Sequence, residues 1–407
     1  MEILVSGAGI GGLSVALCLQ KSGHKVTLLE KSKAFKPIGA GLQCGANALH
    51  VFAYLGLLED IEAVSVAPHR VEFRDAFNGR TLYTSEWGET YRDRYGAPYL
   101  NIHRADLHDI LVNSLQNNTA HIEFNAALVD YQEYTDRVEV LLADGRSFTG
   151  DCLIAADGIK SLVRSKLLQE ESSKPIEHQF TGNVAWRGIV PADRLPAGFM
   201  PKIASNFMGQ RKHMVMYYLR NQQLLNFVGV VEKPQPLTAS EGGNQHRNHD
   251  SWVSKAPWEQ LKSDFVDWHP MVQAVINAMD KDQCYRWDLY HHKPLNNWSS
   301  ARVTLLGDAA HATLPFMAAG AALAVEDARI LQRAFDQSQD VSRALSLYQT
   351  NRISRTSEIQ SLSVKMGKLY HLQNPWLLKL AFSALRSVGK SKESILPSYN
   401  ANTIDLI

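Results

Sequence analysis

The beginning of the chain alternates between short apolar runs and one longer helical pattern. Residues 2–6 form a β-rich run, and apolar positions at helical spacing follow over residues 13–20. Gly23 stands where that helix would end, and residues 25–30 form a second apolar run of strand type. This order of strand, helix and strand predicts a βαβ unit.

Two later apolar strands each run into a turn that contains an aspartate. One leads from Leu153 into Asp157-Gly158, and the other leads from Leu305 into Gly307-Asp308. Ligands of open α/β sheets bind at the carboxyl ends of strands, so both turns are candidate ligand contacts.

The hydrophobic pattern divides the chain into four segments. Residues 1–175 begin an α/β domain, and strands near 68–100 are candidates for a second sheet. Residues 176–290 carry the β-type runs 183–190, 213–219 and 224–231, which predict that second, mainly β domain. Residues 291–340 return to the α/β domain, and residues 341–407 are expected to be helical. The charged residues expected at the surface of this last segment include Arg352, Arg355, Glu358 and Lys365.

Composition narrows the class of protein. The 407 residues carry 42 Lys and Arg against 41 Asp and Glu, and this near-neutral balance argues against a nucleic-acid partner. The four cysteines have no CxxC spacing, and His291 and His292 would point to opposite faces of a strand, so no metal site is predicted. We find no membrane-spanning run and expect a cytoplasmic protein.

The turn of the βαβ unit has the pattern GxGxxG. Gly7 permits a tight turn, Gly9 leaves room for a pyrophosphate, and Gly12 lets the helix pack closely on the strand. Glu30 lies near the expected offset of about 20 residues for an acid that binds a ribose hydroxyl, although a solvated strand-end acid is the alternative. The unit therefore predicts a dinucleotide site, and by itself leaves NAD and FAD both open.

The three motifs together resemble the single-component FAD-dependent aromatic hydroxylases. The glycine fingerprint, Asp157-Gly158 and Gly307-Asp308 occur in the order of the p-hydroxybenzoate hydroxylase fold, over about residues 1–365. The resemblance is greatest to the salicylate hydroxylase and 3-hydroxybenzoate 6-hydroxylase branch. It implies a Rossmann-like FAD-binding domain, an inserted β-sheet substrate domain and a C-terminal helical segment.

The resemblance also assigns residues to the cofactor. Taken alone, Arg104 is a surface cation at a helix start, and Asp157 and Asp308 are turn-forming acids. The residues that the resemblance places at FAD are Gly7, Gly9, Gly11, Gly12, Glu30, Lys31, Gly41, Gln43, Arg104, Asp157, Gly307, Asp308, Gly320 and Ala321.

Five further residues are candidates for contact with a substrate. His213 and Tyr217 lie four apart in a predicted strand and share a face, and the resemblance gives them a catalytic role. A buried core histidine beside a tyrosine is the alternative. The resemblance places Arg187, Pro315 and Phe316 at the substrate, and Arg187 could instead pair with an acid.

The activity that this resemblance implies is aromatic hydroxylation. NADH or NADPH, binding transiently, would reduce FAD, and O₂ would react to give a flavin C4a-hydroperoxide that hydroxylates a small phenolic or heteroaromatic compound. We expect a monomer or a homodimer.

Two other functions stay open at this level. An amphipathic stretch over residues 375–392 suits a membrane-surface hydroxylase of a lipid-soluble quinone precursor, although packing within the protein is the simpler interpretation. Ala318 and Ala319 stand where the family often has Gly or Gln, and residues 290–295 lack its Asp-Arg pair. The glycines missing around residues 318–322 motivate the second alternative, an FAD-binding redox or scaffold protein without oxygenase activity.

Overall fold

A parallel sheet carries the βαβ unit at its centre. The computed structural model describes residues 1–35, 40–116, 121–169, 179–236, 253–372, 374, 376–378, 380–382 and 395–407. The first elements are β1 (Glu2–Ser6), α1 (Ile10–Lys21) and β2 (Lys25–Leu29). Gly23 adopts a φ of +81° just after α1, which confirms its predicted role in ending the helix.

This sheet has five strands in the order β18-β11-β1-β2-β7, and every pairing in it is parallel. The remaining strands are β7 (His121–Glu123), β11 (Cys152–Ala155) and β18 (Val303–Leu305). Residues 3–5 at its centre are buried because helices cover a parallel sheet on both faces. The α/β class and the FAD-type architecture are as predicted.

A larger sheet of eight strands lies beside the first. Its order is β16-β17-β12-β15-β14-β13-β4-β5. Its strands are β4 (Arg70–Asp75), β5 (Thr81–Glu86), β12 (Gln179–Pro191), β13 (Ala204–Gly209), β14 (Lys212–Leu219), β15 (Leu224–Glu232), β16 (Val253–Lys255) and β17 (Tyr285–His291). The early strand β4 pairs in parallel with β13, so two separate parts of the chain build this sheet. The expected boundary at residues 175 and 176 lies outside the described residues.

Two small sheets complete the β-structure. An antiparallel pair joins β3 (Gly41–Cys44) to β6 (Leu100–His103), and a three-stranded sheet contains β8 (Leu128–Glu133), β9 (Val138–Leu142) and β10 (Ser147–Gly150). The Gly41 N–H donates to the Asn226 side chain on β15 at 2.9 Å. The β3–β6 pair is therefore fastened to the large sheet.

Helices fill the space around these sheets. They are α2 (Ala46–Tyr54), α3 (Leu58–Val64), α4 (Glu89–Tyr95), α5 (Arg104–Gln116), α6 (Leu162–Gln169), α7 (Trp258–Asp264), α8 (Pro270–Ala278), α9 (Asp308–His311), α10 (Gly320–Gln337) and α11 (Val341–Tyr370). Helix α10 packs against both α1 and α11. The apolar face of α10 lies in the core, as its sequence pattern predicts.

A buried group of charged side chains joins α10 to α11. The Arg352 Nε donates to Asp327 at 2.7 Å, and the Arg355 Nε donates to Glu326 at 2.7 Å. The prediction that Arg352 lies at the surface is wrong, because its side chain is fully buried between two carboxylates. A buried guanidinium needs such partners to offset its desolvation.

The C-terminal segment is helical only in part. Helix α11 ends at Tyr370, and residues 395–404 form turns instead of the expected helix. The Ala401 carbonyl accepts a hydrogen bond from Arg333 at 2.8 Å, so this end of the chain packs on α10. The amphipathic stretch 375–392 lies mostly outside the described residues. Within the described part, no helix combines the length and apolarity needed to cross a membrane.

Candidate active site

The glycine fingerprint forms a loop that side chains would disrupt. Gly7 has a φ of +97°, and a Cβ on Gly12 would lie 1.9 Å from the Gly7 carbonyl oxygen. A Cβ on Gly9 would meet no atom within 4 Å. Gly7 and Gly12 are therefore required by the protein's own packing, whereas Gly9 faces open space, as a ligand-facing position should.

The Glu30 carboxylate is hydrogen-bonded to the backbone of this loop and of the segment that follows β2. It accepts hydrogen bonds from the Ala8 N–H at 3.0 Å and the Ser32 N–H at 2.8 Å. The acid thus lies at the end of β2 beside the fingerprint, where the offset placed it. Lys31 is exposed and does not line the cavity described below.

Asp308 lies at the start of α9, deep in the molecule but open to a cavity. Gly307 before it has a φ of +63°, which gives the turn its sharp change of direction. Burial raises the pKa of Asp308, while His311, Arg104 and Arg164 act in the opposite direction. Burial also lowers the pKa of Arg104. Arg104 and Asp308 therefore bring opposite charges to the wall of the same cavity.

Asp157 has a local structural role. Its carboxylate accepts from the Leu162 N–H at 3.1 Å at the start of α6, and its Oδ1 is buried without a hydrogen-bond partner in the described structure. Its neighbours Ala156 and Gly158 line the cavity. Arg164, which sequence reasoning did not select, joins this turn to the Asp308 turn by donating to the Ala309 carbonyl at 3.0 Å.

These parts enclose a cavity of about 380 Å³ between the two large sheets. The predicted site residues that line it are Gly9, Gly11, Gly41, Gln43, Arg104, Arg187, His213, Tyr217, Gly307, Asp308, Pro315, Gly320 and Ala321. The predicted residues outside its lining are Gly7, Gly12, Glu30, Lys31, Asp157 and Phe316. Segments more than a hundred residues apart therefore meet at one space, which we call the cofactor cavity.

A second cavity, of about 340 Å³, adjoins the first. Its aromatic lining residues include Phe73, Tyr83, Trp87, Tyr91, Tyr99, Phe316, Tyr370 and Phe382. His213, Pro315 and Ala318 line both cavities. We call this second space the aromatic chamber. Sequence reasoning missed most of it, although aromatic residues at every fourth position from Trp87 to Tyr99 were a usable signal.

Arg187 places a guanidinium in the wall of the cofactor cavity. Its charge lies 5.3 Å from the centre of the Trp287 ring, and its Nε is buried without a hydrogen-bond partner in the described structure. Burial lowers the pKa of Arg187, and the neighbouring Tyr217 raises it. Burial raises the pKa of Tyr217 above its usual range. Arg187 and Tyr217 together can bind an anion through a positive charge and a neutral hydroxyl group.

His213 turns one ring nitrogen away from the cavities. Its Nδ1 lies 2.9 Å from the His371 Nε2, beyond the end of α11. Burial lowers the pKa of His213 well below its usual range, so the ring is neutral near neutral pH. The expectation that His213 and Tyr217 share a strand face is met by both side chains lining the cofactor cavity.

Comparison with known proteins establishes the family to which this chain belongs. The profile of the family described as FAD binding domain matches residues 1–359. The chain belongs to the FAD binding domain family. It is 34% identical over 377 residues to a 3-hydroxybenzoate 6-hydroxylase of Polaromonas naphthalenivorans, covering 92% of this chain and 89% of that protein. It is 33% identical over 379 residues to a 6-hydroxynicotinate 3-monooxygenase of Bordetella bronchiseptica, covering 92% and 93%.

Solved structures agree with this membership of the FAD binding domain family. A salicylate hydroxylase substrate complex matches with a TM-score of 0.82 and 26% identity, covering 99% of this chain and 96% of that one. Klebsiella pneumoniae HpxO, complexed with FAD and uric acid, matches with a TM-score of 0.83 and 26% identity, covering 98% and 97%. The protein is an FAD-dependent aromatic monooxygenase.

The residues present fit the cofactor of the FAD binding domain family. The open space at Gly9, the positive φ at Gly7 and the Asp308 carboxylate open to the cavity are the features that a dinucleotide requires. Ala318 has a φ of +51°, a conformation that favours glycine, so the departure from the family pattern keeps the backbone shape at a cost of about 1 kcal/mol. The small residues that follow begin α10 against the same cavity.

Proposed function

We propose that this protein hydroxylates a small phenolic or heteroaromatic compound, using NADH or NADPH and O₂. The observation that carries the proposal is the junction of the two cavities. The space lined by the fingerprint and Asp308 shares His213 and Pro315 with a chamber whose walls are aromatic rings. Flat rings stack favourably on such walls, so the chamber suits an aromatic substrate.

Residues from three parts of the chain would hold the cofactor. Gly9 would leave room for the pyrophosphate, Arg104 and Asp308 would bind the cofactor from the cavity wall, and Gly320 and Ala321 at the start of α10 would line the space that it fills. Bound FAD supplies hydride acceptance and oxygen activation. The N–H groups at the start of α10, an 18-residue helix, favour negative charge in the cavity.

Other residues would bind and prepare the substrate. Arg187 attracts an anionic group, and the neutral His213 ring can accept the proton of a phenol. A deprotonated phenol is the more electron-rich ring for attack on an electrophilic oxygen. The relatives named above act on hydroxybenzoate and hydroxynicotinate, and we propose a substrate of that size class.

Turnover of a compound panel tests the proposal. FAD-loaded protein is mixed with NADH or NADPH and with 3-hydroxybenzoate, salicylate, 6-hydroxynicotinate or uric acid, under ¹⁸O₂. We expect one compound to stimulate cofactor oxidation and to gain one labelled oxygen atom, detected by mass spectrometry. Incubation without the aromatic compound is the control. Cofactor oxidation that no compound changes, with no labelled product, would instead favour the redox or scaffold alternative.

The remaining sequence-based expectations stay predictions. They concern a cytoplasmic location, a monomeric or homodimeric state and the absence of nucleic-acid and membrane partners. The quinone-precursor alternative depends on residues 375–392, and vesicle sedimentation with and without that stretch tests it.

A further inference from the structure

A row of hydrogen-bonded side chains leads from the cavities to the protein surface. His213 Nδ1 lies 2.9 Å from His371 Nε2, and His371 Nδ1 lies 3.1 Å from Glu232 Oε1. His213 and His371 are only 5% and 6% exposed, whereas the Glu232 side chain is 38% exposed. The row therefore has one end at the cavity wall and the other end in contact with solvent.

The carboxylate at the outer end determines the tautomer of both rings. Glu232 can only accept, so the His371 Nδ1 carries a hydrogen and donates to it. A neutral His371 then has a lone pair on Nε2, and the His213 Nδ1–H donates to that lone pair. His213 is left with an unprotonated Nε2, the ring nitrogen that does not contact His371. This nitrogen is ready to accept a proton from a ligand in the cavity.

We propose that His371 and Glu232 form a relay that carries the proton of a bound phenol from His213 to solvent. The proposal rests on the proposed function, because it concerns the same substrate. His213 is the catalytic base, and His371 and Glu232 are positioning residues that act through it. Sequence reasoning selected His213 and missed both partners.

The surroundings of the row favour neutral rings. Burial lowers the pKa of His213 and of His371, while Glu232 acts on His371 in the opposite direction. Among the described residues, the titratable side chains near the row include Tyr370, whose ring centre lies 5.2 Å from that of His213, and Arg211, whose Nε lies 3.5 Å from Glu232 Oε2. Arg211 thus places a positive charge beside the carboxylate at the outer end of the row.

The transfer balances in atoms and charge. The phenol O–H bond breaks as an N–H bond forms at Nε2 of His213. The Nδ1–H of His213 moves to Nε2 of His371, and the Nδ1–H of His371 moves to the Glu232 carboxylate. One proton reaches the surface, the substrate becomes a phenolate, and no electron is transferred. When the product leaves as a neutral phenol, the same steps in reverse restore the starting tautomers.

Phenolate formation can be measured without turnover. The FAD-loaded protein is mixed in a stopped-flow instrument with 3-hydroxy-4-nitrobenzoate, below the pKa of the free probe and without NADH or NADPH. The phenolate of this probe absorbs in the visible, and its rate of appearance reports the proton transfer. The relay variants are Glu232→Gln and His371→Gln, with His371→Ala added for rescue by imidazole. The charge-matched control is Glu259→Gln on the exposed side of α7.

We expect both relay variants to slow phenolate formation about a hundredfold. The dissociation constant of the probe and the result for Glu259→Gln should stay at the wild-type values. Added imidazole should restore the rate in His371→Ala, which a merely structural role would not predict. Glu232 lies at the surface, so its variant tests the relay even where a His371 variant fails to fold.

Two results would overturn the relay. One is phenolate formation at the wild-type rate in both Glu232→Gln and His371→Gln. The other is a wild-type protein that binds the probe without ionising it. If a panel compound is hydroxylated and either of these two results is also obtained, the relay is refuted and the proposed function stands. Relay-dependent ionisation without hydroxylation of any panel compound refutes the proposed function and leaves the relay standing.

Discussion

Arg187 carries a positive charge into a cavity, and none of the described carboxylates forms an ion pair with it. Its Nε has no hydrogen-bond partner in the described structure, and its nearest charged or polar influences are Tyr217 and Arg104. A buried cation in this state is stabilised when a ligand brings a negative group to it. Arg187 is thus the residue at which the charge of a substrate would be recognised.

We predict that Arg187→Gln discriminates between charged and uncharged substrates. The KM for 3-hydroxybenzoate should rise about tenfold or more, and the KM for 3-methylphenol should change little, because only the carboxylate loses a charge partner. Steady-state oxidation of NADH or NADPH measures both constants. The exposed Arg194→Gln is the matched control. An equal rise for both compounds would contradict the assignment.

At the scale of single residues, the sequence predicts those positions that serve a local backbone need. Gly7 and Gly307 could be selected because their turns require a positive φ, and Asp308 follows from its place after a strand. His371 and Glu232 could not be selected. His371 lies 158 residues from His213 along the chain, and Glu232 lies 139 residues from His371. Their contacts depend on how β14, β15 and the end of α11 pack, which periodicity does not specify.

Two glycines in the turn between β1 and α1 are needed for different reasons. Gly9 leaves room for a ligand, and Gly12 is required by the packing of the protein itself. We predict that Gly9→Ala folds normally and loses FAD affinity, because its Cβ would enter only the open space. Gly12→Ala should destabilise the protein by about 3 kcal/mol, because its Cβ would collide with the Gly7 carbonyl. FAD fluorescence titration and urea unfolding of the apoprotein measure the two effects.

The two glycine variants control each other. The apoprotein of Gly9→Ala should unfold at the wild-type urea concentration. If it is instead as unstable as Gly12→Ala, the open space at this position is not a ligand site.

Helices α10 and α11 are joined by charges as well as by apolar contacts. We predict that Arg352→Met destabilises the protein by about 3 kcal/mol, because Glu326 and Asp327 would each lose a buried partner. Urea unfolding of the apoprotein provides the measurement. Arg343→Met, at an exposed position on the same helix, is the control and should change stability little. Equal stability of the two variants would show that this buried group contributes nothing.

At the scale of elements, the sequence predicts the apolar face of α10 but not the charged contact beneath it. A charge in a helical pattern is normally assigned to solvent, so Arg352 was placed on the wrong side. The C-terminal turns were also missed, because residues 395–407 contribute contacts such as the one to Arg333 and no periodic pattern of their own.

For the whole molecule, Asp327 makes stability depend on pH in the acid range. His311 and Arg352 overcome the effect of burial and lower the pKa of Asp327 to about 2. Its folded pKa is therefore below the unfolded value of about 3.9, so the folded state is favoured above about pH 4 and loses this stabilisation as the pH falls towards 2. The contribution at neutral pH is on the order of 2 kcal/mol.

We predict that Asp327→Asn flattens this acid dependence. Free energies of unfolding, measured from about pH 6 to about pH 3, should fall more steeply for the wild type than for the variant. Asp144→Asn, at an exposed loop position, is the control for a general effect of one fewer carboxylate. Parallel curves for the wild type and Asp327→Asn would refute the assignment.

The sequence predicts several of the strands that belong to the parallel sheet, but not the full order in which the strands pair. The βαβ unit and the two aspartate turns place β1, β11 and β18 in one sheet, because ligand-binding turns gather at one edge. The early strands β4 and β5 were candidates for the large sheet, and their pairing partners could not be identified from period-two patterns, which do not specify a neighbour.

The strand order also has a consequence for how the protein is made. The first strand synthesised lies at the centre of the five-stranded sheet, and the edge strand β18, which leads directly to Asp308, is synthesised some three-quarters of the way along the chain. Most of the polypeptide is therefore synthesised before β18 and the Asp308 turn can complete the wall of the cofactor cavity. We therefore expect flavin to bind late, and a chain truncated before β18 should be isolated colourless.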